Sequence, residues 1–224
     1  MSTLRKPEFQ NLIQRLFAEA EASDLRLRQE LAQSEAVRAE WQQLAHSDYR
    51  AAYARLNHAF LAVSPDTAKL LYMLARARGA RNIVEFGTSF GLSTLHLAAA
   101  IQDNGGGVLI GSEFEAEKAA VARANLRAVG LERLVEVREG DALDTLARDL
   151  PIAIDFVLLD GAKVLYPKIL ELLEPNLAPG ALVIADNADA SPEYLARVRD
   201  AGSDYLSVPF GPDVEVSQYL PHGH

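Results

Sequence analysis

Val84–Ala100 reads VEFGTSFGLSTLHLAAA. An apolar run ends in an acid, Glu85. Gly87 and Gly91 follow, four residues apart, and apolar residues then return at helical spacing. A short, continuous apolar run is what a strand covered on both faces shows, and the later spacing is that of a helix packed on it. Strand, tight turn and helix in that order predict one unit of an open parallel α/β sheet. Such sheets bind ligands beyond the carboxyl ends of their strands.

The same alternation extends both ways. Upstream, helical SPDTAKLLYMLARARG precedes NIVEF. Downstream come a helix over Gly91–Gln102, strand GVLIGSE, a helix over Glu115–Val129, strand LVEVREG, and a short helix near Ala142–Arg148. Strand IDFVLLD, a helix over Lys163–Leu173 and strand GALVIAD continue the pattern. After a helix at Pro192–Asp200, DYLSVPF and VEVSQYL are joined only by Gly211-Pro212-Asp213, and a link that short predicts a hairpin. The expected fold is a Rossmann-like, doubly wound, seven-stranded sheet, mostly parallel, with an antiparallel C-terminal hairpin.

Composition changes near Ser64-Pro65, which predicts an N-terminal helical arm or cap over 1–62 and a ligand-binding domain over 63–224. Residues 1–60 hold eight Lys/Arg and eight Asp/Glu, so the remaining 14 basic and 23 acidic residues carry the whole net charge of -9. That balance argues against nucleic acid as a partner, because backbone binding needs clustered Lys and Arg. There is no cysteine, which removes disulfides and thiolate chemistry. No run approaches the roughly 20 apolar residues of a membrane span, and a cytoplasmic setting without membrane contact is expected. The arm places Leu12, Leu16, Leu27, Leu31, Trp41, Leu44 and Phe60 at helical spacing. More apolar face than a solvated appendage needs predicts packing on the main domain and a homodimer.

Glu85, Gly87, Glu113, Asp141, Asp160 and Asp186 all fall at or near strand ends. A dinucleotide fingerprint would need a second glycine, where the backbone approaches pyrophosphate. Here that glycine is missing and the rim is acidic, which suits a cofactor with cationic groups and no phosphate. S-adenosylmethionine has that chemistry. Glu113 can accept both ribose hydroxyls, and Asp141 can meet the adenine amino group. Ser93 and the free N–H groups of its helix can hold the methionine carboxylate.

With IVEFGTSFGLSTLHLA, GSEFEAEKAAVARANL, VREGDAL, DFVLLDGAKVLYPKIL and PGALVIADN in this order, the chain resembles the class I S-adenosylmethionine-dependent methyltransferases. Within them it is most similar to the cation-dependent O-methyltransferases, the catechol and caffeoyl-CoA group and its bacterial relatives. The resemblance covers about Val63 to Leu220. It implies cofactor contacts at Val63, Glu85, Gly87, Ser93, Glu113, Asp141, Ala142 and Asp160, and methyl transfer to a hydroxyl of a small molecule.

Asp160, Asp186 and Asn187 end neighbouring strands and offer hard oxygen donors, suited to Mg²⁺, Mn²⁺ or Ca²⁺ rather than zinc. Asp-Asn after a strand also serves as a simple turn, and a lysine opening a helix is commonly solvated. The resemblance selects metal ligation for Asp160, Asp186 and Asn187 and a catalytic role for Lys163. A metal's charge and partial burial would depress the pKa of that lysine, making it a proton acceptor. Two stretches depart from the family pattern: Gly161-Ala162, where relatives often carry an acid or aromatic, and ADASPEY, where many place a tryptophan. A metal-independent methyltransferase and an inactive cofactor-binding module remain open alternatives. His96 reads as a packing residue and His222-Gly223-His224 as a loose tail.

Overall fold

The computed structural model describes residues 2–32 and 34–222, with some side chains between residues 26 and 46 outside that set, Leu31 among them. Helix α4 (Pro65–Arg78) starts where its sequence says it should. The Ser64 side chain accepts from Thr67 N–H, Pro65 sits at the first turn, and Gly79 ends the helix in the left-handed region at φ 67°. Strands β1 (Asn82–Phe86), β2 (Val108–Glu113), β3 (Val135–Glu139), β4 (Ile154–Leu159) and β5 (Leu177–Ala185) follow, then β6 (Tyr205–Phe210) and β7 (Val214–Tyr219). Between them lie α5 (Leu92–Asp103), α6 (Ala116–Ala128), α7 (Ala142–Thr145), α8 (Tyr166–Leu173) and α9 (Pro192–Arg199).

The strands form one seven-stranded sheet in the order β3-β2-β1-β4-β5-β7-β6. The first five pair in parallel, while β7 runs antiparallel between β5 and β6. The doubly wound sheet with a C-terminal hairpin is therefore as expected. Helix α7 ends at Thr145 rather than near Arg148, and two further boundaries move. Strand β5 begins at Leu177 rather than Gly180, because Leu177 pairs with Ile154 across a register shift. The helix after Lys163 opens as a single 3-10 turn at Lys163–Leu165 and becomes α-helical only at Tyr166, with Pro167 in its first turn.

The arm consists of α1 (Pro7–Ala32), α2 (Glu35–Ser47) and α3 (Tyr49–Ala54). Every residue of α5 from Leu92 to Ile101 is buried, so this helix has no solvent face of its own. Helix α1 covers it. Phe9, Leu12, Leu16 and Ala20 share a core cluster with Leu92, Leu95, Ala98 and Ala99. At about 1.5–3 kcal/mol per buried large side chain, Phe9, Leu12 and Leu16 together contribute roughly 5–9 kcal/mol. Leu27, Trp41, Leu44 and Phe60 are only partly buried. His96 packs edge-on against Phe9, with ring centroids 5.8 Å apart. His222 is not loose, since its backbone N–H and ring both reach Asp204, at 2.8 and 2.6 Å. Gly223 and His224 lie outside the described residues.

Candidate functional site

The strand order reverses between β1 and β4, and the ends of these two strands meet. Asp160 N–H donates to Phe86 O at 2.8 Å. Gly87 turns there at φ 99°, and a Cβ on it would lie 2.4 Å from the Asp160 carbonyl oxygen, so no side chain fits. Ser89 stands where a dinucleotide fingerprint has its second glycine. It adopts the left-handed region at φ 47°, and its Oγ donates to Phe60 O at 2.7 Å. The turn is thus shaped for close approach, but its serine is turned toward the arm.

Glu85 lies beneath this turn, fully buried. Its carboxylate accepts from Thr88 Oγ1 at 3.1 Å, Ser93 Oγ at 2.7 Å and Thr94 Oγ1 at 2.5 Å. Glu85 and Ser93 were expected to contact the cofactor; their side chains bind each other, and Ser93 also lines the adjoining cleft. Burial pushes the Glu85 carboxyl up to about 7, against those three donors. The folded protein therefore keeps this proton to higher pH than the unfolded chain, so Glu85 makes stability fall as pH rises from about 5 to 7. The amount is on the order of 3 kcal/mol. Thermal unfolding across that range should show this loss in the natural protein, and Glu85→Gln should remove it. An identical pH slope in both proteins would refute the assignment.

Glu113, at the end of β2, is 8% exposed. Ser89 N–H and Glu115 N–H hold its two oxygens at 2.6 and 2.9 Å. Burial raises its pKa despite these donors. Gly87, Glu113, Asp141, Ala142 and Asp160 line one cavity. Val63 and Ser93 line a smaller adjoining cleft that shares Gly87 and Asp160. Asp141 caps α7 through Leu143 N–H at 3.0 Å and also accepts from Tyr49 Oη at 2.6 Å. Burial alone would raise the pKa of Asp141, but Tyr49, the Leu143 N–H and Arg50 hold it low.

Asp160 also lines a second cavity, with Lys163, Asp186 and Asn187. Lys163 Nζ lies 3.1 Å from Asp160 Oδ1, and their side chains are 18% and 8% exposed. The expected depression of Lys163 rests on a bound cation, and the contacts of the protein alone act the other way. Burial does work to lower the pKa of Lys163, but Tyr166 and Asp160 beside it raise it well above the ordinary value. Burial likewise pushes the Asp160 carboxyl up to about 8, against the Lys163 charge. Burial raises the pKa of Asp186, which the Lys163 charge opposes. Asn187 turns through the left-handed region at φ 48°, and its Nδ2 donates to Asp213 at 3.3 Å. Among the described residues, no group of three or more His, Cys, Asp or Glu side chains is arranged to hold a metal ion.

The arm supplies residues that motif reading missed. Tyr49, Arg50, Tyr53 and Leu61 line the first cavity, and Leu27, Trp41, Tyr53, Leu56 and Leu61 the second. Their only signal in the sequence is an aromatic set, Trp41, Tyr49 and Tyr53, toward the end of the helical arm. The segment after α3 is tied down by Lys118 Nζ donating to Ala59 O at 2.8 Å and by Phe60 stacked on Phe90 at 4.2 Å.

The profile of a family described as O-methyltransferase matches residues 35–200. A catechol O-methyltransferase of Niastella koreensis is 35% identical over 130 residues, covering 57% of this chain and 58% of that protein. This chain thus spans less than two thirds of the length of that relative. An O-methyltransferase from Bacillus cereus, solved in complex with SAH, superposes with a TM-score of 0.66 at 26% identity, over 89% of this chain and 97% of that one. The O-methyltransferase TomG from Streptomyces achromogenes, solved in complex with SAM, gives 0.64 at 28% identity, over 81% and 89%.

Proposed function

The chain belongs to the O-methyltransferase family, and from that premise we propose that it moves a methyl group from S-adenosylmethionine to a hydroxyl oxygen of a small molecule, assisted by a divalent cation. The observation that carries this reading is Glu113. Its carboxylate is oriented by two backbone N–H groups in the cavity that Gly87 also lines, where it can accept from a ribose diol. Asp160 borders both this cavity and the one that holds Lys163, so donor and acceptor would meet there.

The donor supplies a methyl carbon made electrophilic by its sulfonium. Glu113 would hold the ribose, and Gly87, Val63 and Ser93 would leave room for the methionyl end. In the acceptor cavity Lys163 takes the hydroxyl proton as the oxygen attacks the methyl carbon in line and the sulfur–carbon bond breaks. Because the ammonium is held protonated, its neutral form is scarce at pH 7, and the rate should rise with pH.

Asp160, Asp186 and Asn187 would hold the cation. The Asp186 carboxylate is buried with no hydrogen-bond donor among the described residues, and Asp213 takes the Asn187 N–H, leaving its amide oxygen to face outward from that pair. Mg²⁺, Mn²⁺ or Ca²⁺ suits this oxygen set, and such an ion lowers the pKa of a bound hydroxyl. One contact favours a metal-free form of the same chemistry: the Lys163 ammonium already neutralises Asp160. The division into an arm over 1–62 and a catalytic domain over 63–224, a homodimer and a cytoplasmic setting belong to the same proposal. None of the described helices is long and apolar enough to cross a membrane.

Two charge-assisted hydrogen bonds at Glu113 are each worth roughly 1.5–3 kcal/mol, so Glu113→Ala should weaken S-adenosylmethionine binding at least tenfold. Calorimetry measures this directly. Unchanged affinity would remove Glu113 from the site, and binding of NADH in place of S-adenosylmethionine would overturn the function.

A further inference from the structure

The first cavity is not enclosed by the sheet and its loops alone. Its remaining wall is α3, which reaches across to Asp141, the residue that caps α7 after β3. Tyr49 Oη donates to Asp141 Oδ2 at 2.6 Å, and Arg50 Nε and Nη2 reach the same oxygen at 2.8 and 2.6 Å. The guanidinium lies over the Tyr49 ring, 5.6 Å from its centroid. Helix α3 is itself held at both ends. Asp48 caps it by accepting from Ala51 N–H at 3.0 Å, and Tyr53 Oη donates to Gly161 O at 3.4 Å.

Exposure distinguishes this arrangement from ordinary packing. The Arg50 side chain is 59% exposed while that of Asp141 is 7% exposed, so the ion pair stands at the rim with its acid inside. Both oxygens of Asp141 are engaged, one by α3 and one by the α7 cap. Any ligand group that reaches Asp141 must share a carboxylate that also secures the arm.

We propose that Tyr49 and Arg50 are part of the donor site: anchored on Asp141, they close the adenosine end of the cavity and set how long the donor and its demethylated product stay bound. This rests on the assignment of that cavity to S-adenosylmethionine. Release requires α3 to part from Asp141, so the strength of that contact controls the dissociation rate rather than the chemical step.

Trp41 is the chain's only tryptophan, and its ring centroid lies 6.5 Å from that of Tyr53 on α3. Its fluorescence therefore reports on this helix. Stopped-flow dissociation of S-adenosylhomocysteine should be compared for the natural protein, Tyr49→Phe, Arg50→Ala, Arg50→Lys and the Tyr49→Phe/Arg50→Ala pair. An exposed ion pair plus one hydrogen bond predicts release roughly tenfold faster in the double variant. Arg50→Lys should fall between the natural protein and Arg50→Ala, because charge is kept and the fork is lost. Release from the natural protein should quicken with salt, and release from Arg50→Ala should not, a difference that a merely structural arginine would not produce. Equal release rates in all five proteins, with binding intact, would overturn this proposal alone. A natural protein that binds no S-adenosylhomocysteine would overturn the donor-site assignment and this proposal with it. Tyr49→Phe keeps the ring and removes only the hydroxyl, so its release rate tests the contact even if Arg50→Ala folds poorly.

Discussion

Lys163→Ala should lower the rate constant for methyl transfer by roughly 10²–10⁴-fold, the usual span for a positioned general base. Lys163 lies within the cavity formed by Asp160, Asp186 and Asn187, its Nζ 3.1 Å from Asp160. Its removal takes away the proton acceptor and the ammonium beside Asp160. Donor affinity should change little, because Lys163 does not line the first cavity. The pH dependence identifies the role. Tyr166 and Asp160 raise the pKa of Lys163, so the natural protein should gain rate as pH rises and the amine appears. The variant lacks that amine and depends on ionisation of the acceptor itself. Above the acceptor's own pKa the hydroxyl ionises unaided, and the deficit should narrow. A deficit that stays constant at every pH would make Lys163 a positioning residue.

Asp186→Ala should lower turnover by roughly 10²–10³-fold, since a Lewis-acid cation contributes several kcal/mol of transition-state stabilisation. A chelator should do the same to the natural protein, and Mg²⁺ or Mn²⁺ should restore activity to the chelated natural protein but not to the variant. S-adenosylmethionine binding should survive both treatments, because Glu113 and Gly87 line the first cavity and not the one with Asp186. The backbone carbonyl of Asp186 accepts from Tyr166 Oη at 2.8 Å whatever its side chain, so the variant keeps the β5 terminus in place. Full activity in chelator and in Asp186→Ala would favour the metal-free form, in which Lys163 alone balances Asp160.

The parts of this protein that were legible in the sequence are those with a local cause. The NIVEF run and the helical spacing after Gly91 predicted β1 and α5 because burial on one or both faces imposes a period on the chain itself. The three-residue link Gly211-Pro212-Asp213 predicted the hairpin because nothing else closes over so short a distance. Acids at strand ends predicted the rim of the cavity, and Gly87, Glu113, Asp141 and Asp160 do gather there.

Tertiary structure alone decided where those side chains turn. Glu85 and Ser93 were expected, like Glu113, among the cofactor contacts, yet they pair beneath the turn, because Thr88, Ser93 and Thr94 bring three hydroxyls to one buried carboxylate. The charge state of Lys163 depends on Asp160 touching it, a contact that a spacing of three residues permits but does not require. The arm's part in both cavities was hidden for a different reason. Tyr49 meets Asp141 across 92 residues of chain, and no periodicity records a contact between segments so far apart. The sequence by itself determined the sheet, its winding and the acidic rim, through burial patterns and turn lengths. Only the packed fold decided that α3 lies across that rim, because that contact joins residues whose neighbours in the chain carry no trace of each other.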